Sequence, residues 1–283
     1  MGIRKAMFAG SWYPASASEC EAEITAFLKT PGIEKSSLET ITGGIVPHAG
    51  WYYSGAIACN VIQQLAGGTP ADVLFIFGMH LHQHSPAYIM CEGKWETPFG
   101  NLTVASECAG ALAEQIDFQI ETAHSFPQDN TIELQLPFVK YFFPKATIVP
   151  IGSPPRSDSL NIGKKAVQIA GDRGLRTKII GSTDLTHYGS NYGFMPKGSS
   201  PSAVEWVKNE NDKRIIDAMM TLDPHQVLKE ALSSQNACCA GAAATAIAAG
   251  NALGATRAEC LSYATSYDKS PGDSLVGYVG ITF

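Results

Sequence analysis

Six short apolar runs constrain this chain more than any other feature. They occupy residues 41–47, 73–78, 146–151, 177–182, 260–265 and 275–283. Most are rich in Ile, Val and Phe and lack strict polar–apolar alternation, the pattern of strands covered on both faces. Between them lie segments with helical spacing at residues 18–29, 54–65, 104–115, 160–170, 203–222, 226–232 and 238–252. The first begins Ser-x-x-Glu, with Ser18 and Glu21 suggesting an N-terminal cap. This alternation predicts an α/β fold, with a central, mostly parallel or mixed β-sheet flanked by helices on both faces.

Hydrophobic residues make up 45% of the 283 residues and charged residues 16%. That balance fills a sizeable core rather than a disordered chain. No Ser-, Pro- or Gly-rich linker divides it, so one domain over residues 1–283 is expected. GSNYGFMPKGSSPS, residues 189–202, reads as a loop, either a lid or a surface excursion. The net charge of -6, with no local Lys/Arg cluster, argues against a nucleic-acid partner. Seven cysteines are too few for a disulfide scaffold of this length, and their odd number suggests reduced thiols in a cytoplasmic protein. The N-terminal MGIRKAMFAGSWYP lacks an apolar signal core, and Ala6 stands where N-myristoylation wants Ser or Thr. No apolar run reaches membrane-spanning length.

Chemistry-bearing residues gather where the apolar runs end, and in open α/β sheets ligands bind at the carboxyl ends of strands. His48 follows Ile45-Val46-Pro47, and Gly50 lets backbone approach closely. The plainer alternative is a histidine that bonds a turn. His80, His82 and His84 follow the run ending at Gly78. If extended, all three face one side, which suggests metal binding at one or two of them. The alternative is a polar loop without a role. Asp184 and His187 follow the run ending at Ser182, three apart and close enough on one turn to meet. A carboxylate beside an imidazole raises its pKa and orients the ring. Such a pair serves as a general acid/base or as a metal-supporting pair, unless it is a turn cap beside a buried histidine.

Cys238 and Cys239 open an alanine-rich helical segment. A helix N-terminus favours thiolate, a soft metal ligand; the alternative is two small residues in a closely packed helix. Within residues 129–137, Glu133 or Gln135 could line a cleft or form a solvated face. Trp12, Trp51, Tyr52 and Tyr53 could rim an aromatic groove or pack in the core. Taken together, scattered strand ends fit a site with open coordination positions better than a zinc finger.

These clusters fall within a longer pattern. Ala9-Gly10-Ser11-Trp12-Tyr13-Pro14, Pro47-His48-Ala49-Gly50, Thr97-Pro98-Phe99-Gly100 and Ile132-Glu133-Leu134-Gln135-Leu136-Pro137 occur in that order. Asp184-Leu185-Thr186-His187-Tyr188-Gly189, Ala237-Cys238 and Ser274-Leu275-Val276-Gly277-Tyr278 complete it. In these motifs the chain resembles the Memo family, also called the AmmeMemoRadiSam system protein B family, nearly end to end. The resemblance implies a fold similar to class III extradiol non-haem iron dioxygenases. It also implies a cleft in which two histidines and a cysteine hold iron or copper. Carried over by motif, His48 is the first ligand and Cys238 the cysteine. The second histidine is His80 when counted without gaps from the His48 motif, or His82 when counted from Gly78. Asp184 and His187 match the family's Asp-x-x-His beside the metal. Two positions depart from the pattern. Asn130-Thr131 stands where His-Ser usually precedes Ile-Glu, and an amide cannot shuttle protons near neutral pH. Cys239 stands where glycine is usual, and either adds a second sulfur or fills space.

The resemblance thus implies an oxidoreductase with Fe2+ at His48, His80 and Cys238, copper as the alternative ion and zinc as a substitute. Asp184 and His187 would move protons, with His82, Glu133 and Cys239 as additional candidates. Sulfur in place of the carboxylate of dioxygenases softens such a site. The alternatives are a non-catalytic metal- or peptide-binding protein that keeps the cleft, and a metal-dependent hydrolase using activated water. The expected ligand is a small molecule or peptide in an aromatic-rimmed cleft. The family's occurrence with a radical SAM protein suggests a functional link to one, and neither nucleic acid nor membrane is an expected partner.

Overall fold

The computed structural model describes residues 2–199 and 201–283. Met1, at the start of the expected domain, and Ser200, in the expected loop, lie outside the described residues. The first strands are β1 (Ile3–Arg4), β2 (Gly43–Val46), β3 (Val73–Gly78), β4 (Ala87–Met90), β5 (Lys94–Trp95) and β6 (Leu102–Thr103). They are followed by β7 (Phe118–Glu121), β8 (Thr147–Gly152), β9 (Thr177–Ser182), β10 (His187–Gly189), β11 (Glu259–Thr265) and β12 (Ser274–Thr282). The helices are α1 (Ala17–Phe27), α2 (Ala56–Ala66), α3 (Ser106–Ala113), α4 (Leu136–Phe142) and α5 (Leu160–Asp172). Then come α6 (Pro201–Trp206), α7 (Asp212–Met220), α8 (Pro224–Ser234) and α9 (Ala240–Ala252).

Each of the six apolar runs forms a strand of one large mixed sheet. Its order is β10-β12-β2-β9-β3-β8-β4-β7, with β11 bonded to β12 off this path. The four central strands β2, β9, β3 and β8 run parallel. Antiparallel β12 and β4 flank them. A small second sheet joins β1, β5 and β6.

Both faces are covered, which is why the central strands lack alternation. At Gly44 an added Cβ would meet Val61 of α2, whereas Ile45 reaches the place where a Cβ on Gly181 would meet Ala246 of α9. Neighbouring residues of a strand point to opposite faces, so α2 and α9 lie on opposite sides of the sheet. Helices α1 and α4 pack with α2; α5 and α8 pack with α9. Every residue of α9 from Ala240 to Gly250 is buried. A helix apolar all round belongs in the interior, and its small side chains let neighbours come close. At Gly163 of α5, a Cβ would sit 2.4 Å from the Thr245 carbonyl oxygen.

Three local expectations are corrected. The cap of α1 is Ser16, not Ser18: its extended backbone lets Oγ accept from Glu19 N at 3.3 Å. The helix expected over 203–222 is broken by a wide π-type turn at Val207–Asn211. That turn sends Asn211 and Asp212 into the interior, where the Asp212 carboxylate accepts from Thr186 N at 3.0 Å and Tyr263 OH at 2.7 Å. Helix α9 begins at Ala240, so Cys238 precedes it and Cys239 is its N-cap residue. Among the described residues no helix is long and apolar enough to cross a membrane.

Candidate metal centre

Four chain segments deliver the site with the same offset. His48 lies two residues past β2, His80 two past β3, Asp184 two past β9, and Cys238 two before α9. Strands β2, β9 and β3 are adjacent, so their carboxyl ends bring these residues together.

His48 is buried. Its backbone N–H donates to Asp184 Oδ1 at 2.7 Å. Its Nδ1 is 3.0 Å from Ser182 Oγ, and that hydroxyl donates its own proton to the Thr131 carbonyl at 2.8 Å. Ser182 can therefore only accept from the ring. This puts a proton on Nδ1 and leaves Nε2 as the nitrogen turned toward Cys238. Nε2 lies 3.2 Å from Cys238 Sγ. Asn130 Nδ2 donates to the His48 carbonyl at 2.8 Å, and Gln135 Nε2 donates to the Pro47 carbonyl at 2.9 Å.

His80 reaches the site through an uncommon backbone turn. Met79 has φ +74°, a left-handed conformation, and its N–H donates to Thr131 Oγ1 at 2.7 Å. For a non-glycine residue that conformation costs about 1–3 kcal/mol and persists only where surroundings enforce it. The His80 backbone N and ring Nδ1 each lie 3.0 Å from Asp129 Oδ2. A carboxylate only accepts, so Nδ1 carries a proton toward Asp129 and Nε2 is left to face the Cys238 sulfur. The ring stands nearly perpendicular to that of His48, with centroids 5.0 Å apart. Burial pulls the His80 imidazolium down, but the Asp129 hydrogen bond and the Cys238 sulfur raise its pKa to about 10. Asp129 is itself held well below the carboxylate range: burial works against its charge, and hydrogen bonds from His80 and Thr131 outweigh it.

Cys238 faces both rings. Its Sγ accepts from Asp184 N at 3.3 Å and lies 3.7 Å from Cys239 Sγ. Burial pushes its thiol up, but Cys239, His48 and His80 together hold it well below the ordinary value. The site therefore favours a thiolate. His48, His80, Cys238 and Cys239 each offer one ligand atom, and these atoms all lie within 4.8 Å of one another. Ligands about 2.0–2.3 Å from a shared ion stand about 3.3–3.8 Å apart in a tetrahedron. Two imidazole nitrogens facing a thiolate at this spacing would fit iron, copper or zinc once an ion displaced the protons they share with the sulfur.

His48, His80, Asp184 and His187 face a cavity of about 600 Å³ rimmed by Trp12, Tyr52, Tyr53, Tyr192 and Tyr278. Trp51 is not part of that rim. It stacks on Phe138 at 4.2 Å and donates its indole N–H to the Leu134 carbonyl at 3.2 Å, deep in the core. His187 also lines a second cavity of about 590 Å³, and Cys238 lies on that one rather than the first. His82 and His84 are on its wall, so the three alternating histidines do not share one side. Residues 79–82 are not a strand, and the turn at Met79 redirects them.

Asp184 and His187 share the first cavity, but no hydrogen bond joins them among the described residues. His187 Nδ1 lies 3.1 Å from the Leu185 carbonyl, and its ring meets Tyr192 edge-on at 4.8 Å. Burial raises the Asp184 pKa, partly offset by His48. Glu133 is buried beneath the N-terminal segment, accepting from Phe8 N at 2.7 Å and Tyr13 OH at 3.1 Å. Burial raises its pKa too, against those hydrogen bonds. The residues that sequence reasoning left unassigned are Asp129, Thr131 and Ser182, which orient both imidazoles. The only signal was a polar stretch, Asp129-Asn130-Thr131, ahead of an apolar run.

The fold and site define an α/β protein with a His/His/Cys cluster at the carboxyl edge of its parallel strands. The Memo-like protein family model matches residues 4–282, and the chain belongs to that family. A MEMO1 family protein from Thermococcus onnurineus (strain NA1) is 32% identical over 292 residues, covering 99% of each chain. One from Pyrococcus horikoshii is 33% identical over 285 residues, covering 96% of each. The crystal structure of an uncharacterized protein from Escherichia coli K12 shares the fold, with TM-score 0.55 and 9% identity over 86% of this chain and 99% of that one.

Proposed function

We propose that this chain is a metal-dependent oxidoreductase that binds Fe2+, with copper as the alternative, through His48, His80 and Cys238. The observation that supports the reading is the convergence of two imidazole Nε2 atoms on one thiolate beside a cavity of about 600 Å³. That volume lies within the usual range for small-molecule sites. Iron held there would supply Lewis acidity and electron exchange with dioxygen.

The protein's own residues supply the rest. Ser182 and Asp129 fix both rings with Nε2 outward. His187 hydrogen-bonds the Leu185 carbonyl through Nδ1–H, so its Nε2 is placed to take a proton from a ligand in the cavity. Asp184 is a buried carboxyl on the same wall, with Oδ2 3.9 Å from His48 Nε2. The aromatic rim offers apolar faces on which a small molecule or peptide could pack.

The test is metal analysis and oxygen uptake on anaerobically purified protein. Wild type and His82→Ala should carry stoichiometric metal, whereas His48→Ala, His80→Ala and Cys238→Ser should not. Equal metal in all five proteins would remove the ligand set. Stoichiometric iron without oxygen uptake on catechols or thiols would leave a binding protein instead of an oxidoreductase.

A further inference from the structure

We propose that Cys239 is a fourth ligand, so that His48, His80, Cys238 and Cys239 together enclose a thiophilic d-block ion. This inference rests on the metal-centre reading above and concerns what completes it.

Geometry carries it. Two thiolates each about 2.3 Å from a tetrahedral ion stand about 3.8 Å apart. The two sulfurs are 3.7 Å apart. An imidazole nitrogen and a sulfur on the same ion stand about 3.5 Å apart, close to the 3.2 Å between His48 Nε2 and Cys238 Sγ. All four donor atoms fall within one 4.8 Å cluster. Adjacent residues rarely aim their side chains at one point, because in a strand they diverge and in a helix they fan out. Cys239 escapes both limits. It is the N-cap of α9, with φ -123° and ψ 52°, neither helical nor extended.

The backbone holds this arrangement. Thr183 Oγ1 accepts from Cys239 N at 3.1 Å, and Cys238 N donates to the Asp184 carbonyl at 3.2 Å. The loop after β9 thus grips both cysteines from one side. Among the described residues the Cys239 sulfur has Cys238 Sγ as its only hydrogen-bond partner, although Cys239 is 3% exposed. Space-filling alone would not require a sulfur turned toward the other three donors.

The ligand class follows from the donor set. Two sulfurs and two imidazoles favour zinc, cuprous copper or iron over oxygen-seeking ions. A tetrahedral ion would then have no open position toward the cavity, whereas a six-coordinate iron would keep two.

Cobalt(II) reports the sulfur count directly. Reduced, chelator-stripped protein is reconstituted with cobalt, and its near-ultraviolet sulfur-to-metal absorption is measured beside its visible tetrahedral bands. Cys239→Ser and Cys239→Ala should each lose roughly half of the wild-type sulfur absorption while still binding cobalt. Full absorption in both Cys239 variants, with loss in Cys238→Ser, overturns the proposal and leaves the three-ligand centre standing. No sulfur absorption in wild type removes both. X-ray absorption of the unmutated, zinc-loaded protein decides the matter if the variants fail to fold: two sulfur neighbours support the fourth ligand, and one refutes it.

Discussion

Ser182 accepts a hydrogen bond from His48 Nδ1 because its own hydroxyl donates to the Thr131 carbonyl. The chain of contacts, 3.0 Å from Nδ1 to Oγ and 2.8 Å from Oγ to the carbonyl, fixes the tautomer from below. Removing the hydroxyl in Ser182→Ala leaves a buried imidazole N–H without its acceptor and lets the ring turn. Losing such a supporting contact typically costs 10–100-fold in metal affinity. Chelator competition should show a drop of about that size with an unchanged far-ultraviolet dichroism spectrum. Wild-type affinity in Ser182→Ala would show that the tautomer is set elsewhere.

Asp129 plays the same part for His80, with the added weight of a charge. Asp129→Ala should weaken metal binding by about 10–100-fold and return the His80 ring toward ordinary titration, downward from about 10. Proton–nitrogen NMR of the imidazoles in the metal-free protein follows both changes. A His80 titration identical to wild type would disconnect the two residues.

Asp212 sets a pH dependence that involves no metal ligand. Burial raises its carboxyl from 3.8 to about 6, while hydrogen bonds from Thr186 and Tyr263 offset only part of that shift. The folded state therefore holds this proton to higher pH than the unfolded chain does. The Asp212 contribution to stability therefore falls as pH rises from about 4 to about 6 and is constant on either side, a loss of roughly 3 kcal/mol. Asp212→Asn lacks this proton, so the difference between its urea stability and that of wild type should change across the window. Parallel stability curves from pH 4 to 7 would contradict the assignment.

Gly163 pits two effects against each other. Alanine is favoured over glycine within a helix by about 1 kcal/mol. Its Cβ would stand 2.4 Å from the Thr245 carbonyl oxygen, a backbone atom that moves only with α9. Overpacking of this kind costs about 1–3 kcal/mol and should win. Gly163→Ala should lower the thermal midpoint; a rise would mean that the two helices can separate freely.

The central strands were legible because burial on both faces leaves continuous apolar runs, as in Leu74-Phe75-Ile76-Phe77. Strands β4 and β7 were not: at the sheet's edge, Tyr88 is half-buried and Gln119 and Ile120 are exposed, which breaks the pattern. The two-residue strands of the small sheet exist only through their partners. At the site, motif resemblance pointed to His48 and Cys238, but that His80 rather than His82 lies beside them was not a local property. It depends on the turn at Met79 and on Asp129, 49 residues away in sequence. The Ser182–Thr131 support is equally non-local, 51 residues apart. The separation of Asp184 from His187 came from the Leu185 carbonyl, a competing acceptor that three-residue spacing could not reveal.

His48 and Cys238 meet across 190 residues. During synthesis the early histidines therefore leave the ribosome long before the sulfur that completes their surroundings. No ion can be held by the full set until the last quarter of the polypeptide has emerged and α9 has docked. Any loading would then follow assembly of the sheet, and the chain would reach its native shape through its apolar interior alone.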